Sequence, residues 1–250
     1  MFPGPTVSKM STTTQQTPAA QAAAPAPTTT APAQPTSRKA LIELNSIAPD
    51  FEATTTHGPI TFSKWHAGKW TILFSHPADF TPVCTTEFVE FAKRFEDFQR
   101  RNTQLIGVSI DSIYAHIAWT RNIEQTQGVK VQFPVVADLD QKVAQLFGLV
   151  HEPTSTTSAV RAVYFIDPKR AVRAIIYYPL NVGRNFDEIL RVVDALQLAD
   201  AQGVATPADW TPGQPVVLPA PTTTAGADER ARDGKLQLTD WYLAKKKAEA

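Results

Sequence analysis

A chain of 250 residues with 24 basic and 24 acidic side chains carries no net charge, which argues against nucleic-acid or anionic-membrane partners. Its apolar runs fall well short of the ~20 residues that a membrane helix needs, so a soluble protein is expected. A single cysteine excludes an internal disulfide and leaves stability to a packed core.

Residues 1–38 are almost entirely Thr, Ala, Pro, Gln and Ser, with Lys9 and Arg38 as their only charges. Such a segment cannot bury enough apolar surface to offset its ordering entropy, so disorder is expected. Nothing in it resembles the apolar core of a secretory signal, and Met10 offers a second start. A cytoplasmic location is the expectation, with organelle import left open by the absence of acids.

After the tail, Pro59–Phe62 reads as a short strand and Trp70–His76 as a buried one. A helix should start at Pro82, with Thr81 as N-cap, and run to about Arg101, because Phe88, Phe91, Phe95 and Phe98 recur at steps of three and four. Gln104–Ile110 is a second buried strand. Asp111-Ser112 caps a helix whose apolar face should hold Ile113, Ile117 and Ile123. Phe133–Ala137 is short and extended, and Asp138–Phe147 looks helical with Gly148 as its stop. Val160–Ile166 and Val172–Tyr178 flank Asp167-Pro168-Lys169-Arg170, a turn that implies a β-hairpin. Phe186–Leu198 closes the core as an amphipathic helix. This order predicts an α/β, thioredoxin-like fold, a central mixed sheet flanked by helices, over residues 39–200. From 201 to 250 the chain is first Pro-rich and extended, then charged and helix-compatible from Leu236 onward. It forms a small C-terminal extension domain with too few apolar residues to stand alone.

Cys84 sits in Ser75-His76-Pro77-Ala78-Asp79-Phe80-Thr81-Pro82-Val83-Cys84-Thr85-Thr86-Glu87. Its place in the first turn of a helix sets it against unpaired backbone N–H groups and the positive end of the helix dipole, which favour a thiolate. Polar neighbours distinguish it from a cysteine that merely fills space. His57, His66, His76, His116 and His151 are scattered without metal-ligand spacing, and no phosphate-binding glycine loop is present, so neither a metal nor any other cofactor is expected.

The pattern Pro77-x-x-x-Thr81-x-x-Cys84 resembles the active-site signature of the peroxiredoxins, and the string around it is similar to the one-cysteine subfamily. Further matches lie at 158–167, at Ile175–Pro179 with 183–191, and at Val204–Trp210, so the resemblance spans roughly residues 40–245. It implies a thiol-dependent peroxidase for hydrogen peroxide and organic hydroperoxides, active in antioxidant defence. Cys84 would be the nucleophile, and Thr81 would hydrogen-bond the peroxide. Arg161 would stabilise thiolate and oxyanion, and Pro77 would shield the sulfur. Glu87 and Arg184 would hold Arg161 and the helix by ion pairing, and His76 would border the pocket. Taken singly, Thr81 could be an ordinary cap, Arg161 a surface charge and Pro77 a strand end; they match the motif as a set.

With one sulfur, the cycle passes through a sulfenic acid resolved by an external reductant: glutathione, a thioredoxin-like protein, ascorbate or a small thiol. Some archaeal relatives carry two cysteines around the pair that is here Asp240-Trp241, and both are absent. The resemblance also implies a homodimer, or a ring of dimers, with residues 201–250 as its dimerisation element. A lipid-hydrolase reading fails, because Lys69 and Ser63 stand where that activity would need serine and histidine. The remaining alternative is a redox-signalling or holdase module switched by Cys84 oxidation, which a peroxide-consumption assay separates from an enzyme.

Deleting residues 1–38 should leave melting temperature and peroxide consumption nearly unchanged. A loss above ~1–2 kcal/mol in the unfolding curve would show that the tail docks on the core.

Overall fold

The computed structural model describes residues 42–247, so the expectation for residues 1–38 lies outside the described residues. The chain opens with β1 (Glu52–Thr55), β2 (Gly58–Thr61) and α1 (Phe62–His66), followed by β3 (Trp70–Ser75) and α2 (Pro82–Lys93). Next come α3 (Phe95–Arg100), β4 (Thr103–Ser109), α4 (Ile113–Gln127), β5 (Val135–Ala137) and α5 (Lys142–Leu146). The hairpin of β6 (Arg161–Ile166) and β7 (Val172–Tyr178) leads into α6 (Phe186–Gln202). β8 (Val216–Val217), α7 (Thr224–Ala231), β9 (Gln237–Asp240) and β10 (Leu243–Lys246) complete the C-terminal part.

Seven strands form one sheet in the order β2-β1-β5-β4-β3-β6-β7. β3 pairs parallel to β4, and β4 parallel to β5, whereas β6 runs antiparallel to both β3 and β7. Side chains alternate across the pleat, so each central strand feeds two cores. Ile72 and Phe74 of β3 join α2, α3, α4 and α6 on one face. Leu73 of the same strand joins Phe62 of α1 and Val143 and Ala144 of α5 on the other. This is the thioredoxin-like α/β arrangement the sequence implied.

The first core is aromatic. Phe91 stacks on Phe74 at 3.9 Å between centroids and meets Phe186 edge-on at 4.6 Å. Phe88 packs on Trp119 at 4.4 Å and on Phe133 at 5.6 Å. These contacts seat α2 on β3, which fixes where its N-terminus points.

Several expectations need correction. The helix expected to run to Arg101 breaks at Arg94, whose ψ of 10° ends α2 and starts α3. In α4 the buried face is His116, Trp119 and Ile123, while Ile117 is exposed and Ile113 half-buried. Asp138–Phe147 is helical only over α5, because buried Asp138 caps it from outside, accepting from the N–H groups of Val143 (2.9 Å) and Ala144 (2.6 Å). From Leu236 to residue 247, the last described residue, the chain is not helical: β9 and β10 form a hairpin, and β10 pairs with β8 in a three-stranded sheet. Pairing of Lys245 and Lys246 with Val217 and Val216 overrides the helix propensity of the lysine run. Val204, Trp210 and Val216 make a small core against Ala195 and Leu198 of α6, so the extension rests on the main domain.

Phe91→Ala should cost ~3–5 kcal/mol of stability, because its ring has no exposed surface and the surrounding rings cannot close the cavity. Chemical unfolding monitored by circular dichroism measures this.

Candidate active site

Three backbone segments meet under Cys84. Thr81 is the N-cap of α2 by backbone geometry and Pro82 is its first residue, so Cys84 lies in the first turn. The first hydrogen bond of the helix runs from the Thr85 N–H to the Thr81 carbonyl at 2.9 Å. The N–H groups of the turn that holds the sulfur therefore precede the hydrogen-bonded ladder. Cys84 has no exposed surface.

Arg161, the first residue of β6, donates from Nη1 to Cys84 Sγ at 3.2 Å and to Glu87 Oε2 at 2.8 Å. Its Nε donates to the Leu180 carbonyl at 3.0 Å, which fixes the plane of the guanidinium. Glu87 lies one turn after Cys84 on α2 and also receives Arg184, from Nη1 at 2.6 Å and from the backbone N–H at 3.0 Å. Arg184 Nη2 donates to the carbonyls of Ser75 and Ala162, and its guanidinium lies 5.6 Å from the Phe74 ring centroid. Burial pulls Arg184 down to about 10, against the attraction of Glu87, so it stays charged at neutral pH. Two buried guanidiniums thus share one carboxylate, which leaves one positive charge in excess beside Sγ.

Thr81 departs from expectation in its side chain, which makes no capping bond. Its hydroxyl donates instead to the Ala78 carbonyl at 3.0 Å, leaving the oxygen lone pairs free to accept. Pro77 is buried between β3 and the loop that leads to α2. Phe80 in that loop holds a left-handed φ of +56° and is exposed.

His76 belongs to a second buried cluster. Its Nε2 lies 2.8 Å from Asp79 Oδ1, and His116 Nδ1 lies 2.7 Å from Asp79 Oδ2. Burial opposes the Asp79 carboxylate, but hydrogen bonds from His116 and His76 outweigh it and hold Asp79 below its ordinary range. Burial pushes His76 down, so its ring is neutral. Two of the histidines that look scattered in sequence are therefore joined through a carboxylate. These three residues offer a compact donor set, within 4.8 Å. Their separations are those of hydrogen bonds, however, since ligands at ~2.0–2.1 Å from a tetrahedral zinc lie roughly 3.3 Å apart. Sequence reasoning missed Asp79 and His116, which sit 37 positions apart. The only local signal was the i, i+3 spacing of His76 and Asp79.

Residues 44–175 match the model of the AhpC/TSA family, and residues 195–234 match the C-terminal domain of 1-Cys peroxiredoxin. The chain belongs to the AhpC/TSA family. A peroxiredoxin of Aquifex aeolicus is 51% identical over 217 residues, which is 83% of this chain and 97% of that protein. Two solved structures have similar folds. The yeast mitochondrial 1-Cys peroxiredoxin matches with a TM-score of 0.74 and 40% identity, over 83% of this chain and all of that one. Peroxiredoxin 6 of Arenicola marina matches with a TM-score of 0.75 and 34% identity, over 83% and 99% of the two chains. This AhpC/TSA member is accordingly a thiol-dependent peroxidase, an oxidoreductase that acts on peroxide. Among the described residues no helix is long and apolar enough to cross a membrane.

The buried histidine makes stability depend on pH. Below the ordinary value of 6.5 the unfolded chain protonates His76 while the folded chain resists, so each step down in pH favours unfolding. Asp79, held low in the folded state, adds its own loss as pH falls below 3.8. Between pH 6.5 and 4.5 the parent should lose stability more steeply than His76→Gln. Parallel denaturant midpoints for the two proteins would refute this.

Proposed function

We propose that Cys84 Sγ is the peroxidatic nucleophile of a one-cysteine cycle. The observation that carries this reading is the Arg161 Nη1 hydrogen bond to Sγ at 3.2 Å, inside a cluster with one positive charge in excess. The thiolate attacks the hydroxyl-bearing oxygen of a hydroperoxide. An S–O bond forms, the O–O bond breaks, and two electrons pass from sulfur to the peroxide. The products are Cys84 sulfenic acid and an alkoxide or hydroxide, which takes up a proton from solvent.

Each neighbour has a part in that step. The Thr81 oxygen, its own hydrogen committed to Ala78, accepts from the hydroperoxide O–H and aligns the O–O bond. Arg161 offers donors to the oxygen on which charge develops, already oriented by Glu87 and Leu180. Arg184 is a positioning residue, since it reaches Cys84 only through Glu87. Pro77, without an N–H, keeps one side of the sulfur dry.

Cys84 is the sole cysteine, so the resolving thiol comes from outside. It condenses with the sulfenic acid to a mixed disulfide and water, and a second thiol then releases Cys84. The yeast relative is described as resolved via glutathione/thioredoxin systems, and a reductant of that kind is our reading here. A lone unpaired cysteine suits a reducing compartment such as the cytoplasm. We read residues 39–200 as the peroxidase domain and residues 201–250 as a dimerisation element of a homodimer. The exposed Leu238, Trp241 and Tyr242 on the C-terminal hairpin, and the edge of β7 beyond Val172, which pairs with no strand among the described residues, support that assembly.

One peroxide equivalent should convert Cys84 to a sulfenic acid trapped by a dione probe, with sulfinic and sulfonic acids at excess peroxide. Cys84→Ser should consume no peroxide while remaining folded. Intact mass and non-reducing electrophoresis read the outcome, and a stoichiometric disulfide-linked dimer as the main product would overturn the one-cysteine cycle.

A further inference from the structure

The second buried cluster has a proton count that its geometry decides. His116 Nε2 lies 3.1 Å from the Val136 carbonyl, and its Nδ1 lies 2.7 Å from Asp79 Oδ2. Both partners are acceptors when Asp79 is ionised, so both ring nitrogens carry hydrogen and the ring is an imidazolium. Asp79 Oδ1 then accepts from His76 Nε2–H at 2.8 Å, which leaves His76 Nδ1 as a bare lone pair, buried and without a partner. Asp111 completes the surroundings: its Oδ2 accepts from the Asp79 N–H at 3.1 Å and from Ser109 Oγ at 2.7 Å. From α2 and α4 the rings of Phe88 at 4.8 Å, Trp119 at 5.2 Å and His116 itself at 6.1 Å between centroids face His76.

These residues touch the site by two routes. Asp79 lies in the loop that carries Pro77 and Thr81, so its anchor on α4 sets the path of that loop. Trp119, one helical turn beyond His116, donates from Nε1 to Thr85 Oγ1 at 3.2 Å, and the Thr85 hydroxyl donates to the Thr81 carbonyl at 2.8 Å.

We propose that His116 is a positioning residue whose fixed positive charge neutralises Asp79, locks His76 as its Nε2–H tautomer, and holds the loop bearing Pro77 and Thr81 in its reactive place. This rests on the role given to Cys84 above. Without the His116 charge, the buried carboxylate draws a proton onto His76 Nδ1, turning an acceptor into a donor beside α2.

Imidazole-nitrogen NMR of the intact parent protein between pH 5.5 and 8.5 tests the first half. His116 should show hydrogen on both nitrogens throughout, and His76 should be neutral with hydrogen on Nε2. A singly protonated His116 ring at neutral pH overturns the proposal. The second half is read by iodoacetamide alkylation of Cys84 against pH, which is independent of whether peroxide is the substrate. His116→Asn should slow alkylation about 10- to 100-fold and shift its pH profile, the scale of a small misplacement at a reacting centre. Asp79→Asn combined with His116→Asn removes both charges, keeps an amide pair, and should return the rate to within about threefold of the parent. A folded His116→Asn protein with the parent profile, or a double variant no better than the single one, overturns the proposal. If His116→Asn does not fold, the double variant and the parent spectrum decide the matter.

Discussion

Glu87 is the hinge of this molecule. One carboxylate, 2% exposed, receives both Arg161 and Arg184, and every element around the sulfur is tied to that meeting. Arg161 brings β6, Arg184 brings the turn before α6, and Glu87 itself belongs to α2. The Ser75 and Ala162 carbonyls, at the end of β3 and in β6, accept from Arg184 Nη2, and only its buried Nε finds no partner among the described residues. Burying three charges is expensive unless their hydrogen bonds are met, and removing one partner of such a group typically costs about 3–5 kcal/mol. The cluster is therefore strongly specified, and the placement of Arg161 against Sγ comes with it.

Packing supplies the rigidity that electrostatics alone lacks. Phe74 lies on the strand whose last carbonyl holds Arg184, and its ring meets both the Arg184 guanidinium and the stacked Phe91. Phe88 and Phe91 follow Cys84 by one and two turns on α2, so the face of the helix that carries the sulfur is also the face that enters the aromatic core. A helix seated this way cannot rotate without exposing rings worth several kcal/mol of burial. The dipole of the first turn thus keeps a fixed aim.

Legibility in the sequence followed the range of the interaction. The helix-start position and polar neighbours of Cys84 could be read from the residues themselves, whereas the parts given to Pro77 and Thr81 came with the resemblance, although all three fall within eight positions. Arg161 needed the resemblance, since nothing local distinguishes it from a surface charge on a strand. The pairing of Glu87 with Arg161 and Arg184 was anticipated, but not that a single carboxylate serves both. Asp79 and His116 were missed because a loop and a helix far apart in the chain create their contact, and no periodicity marks it. For the same reason the buried face of α4 was read only in part: Ile123 is in the core as expected, but Ile117 is exposed, and the core takes His116 and Trp119, whose polar atoms find partners inside. The C-terminal hairpin was misread as helix because Lys-rich, Ala-containing ends favour helix locally, while strand pairing with Val216 and Val217 decides the outcome.

The buried sulfur imposes a last constraint on the cycle. Peroxide is small and can enter a closed site, but a resolving thiol must bring its sulfur to within ~2 Å of Cys84 Sγ. That approach requires the first turn of α2 to open. The bonds restraining it are local apart from Arg161 to Sγ and the Trp119 indole to Thr85: the Thr85 N–H and hydroxyl to the Thr81 carbonyl, the Thr86 hydroxyl to the Val83 carbonyl, and Thr81 to Ala78. From Glu87 onward the helix is held by the charge cluster and the aromatic core. Opening can therefore remain local, at a small fraction of the global unfolding energy. Oxidation itself favours it, because a neutral sulfenic acid no longer balances the excess charge of the two arginines. With Cys84 as the proposed nucleophile, the same charge that favours its thiolate would thus lower the hold on the sulfur once it has reacted, and an external reductant would complete a cycle that the chain has no second cysteine to finish.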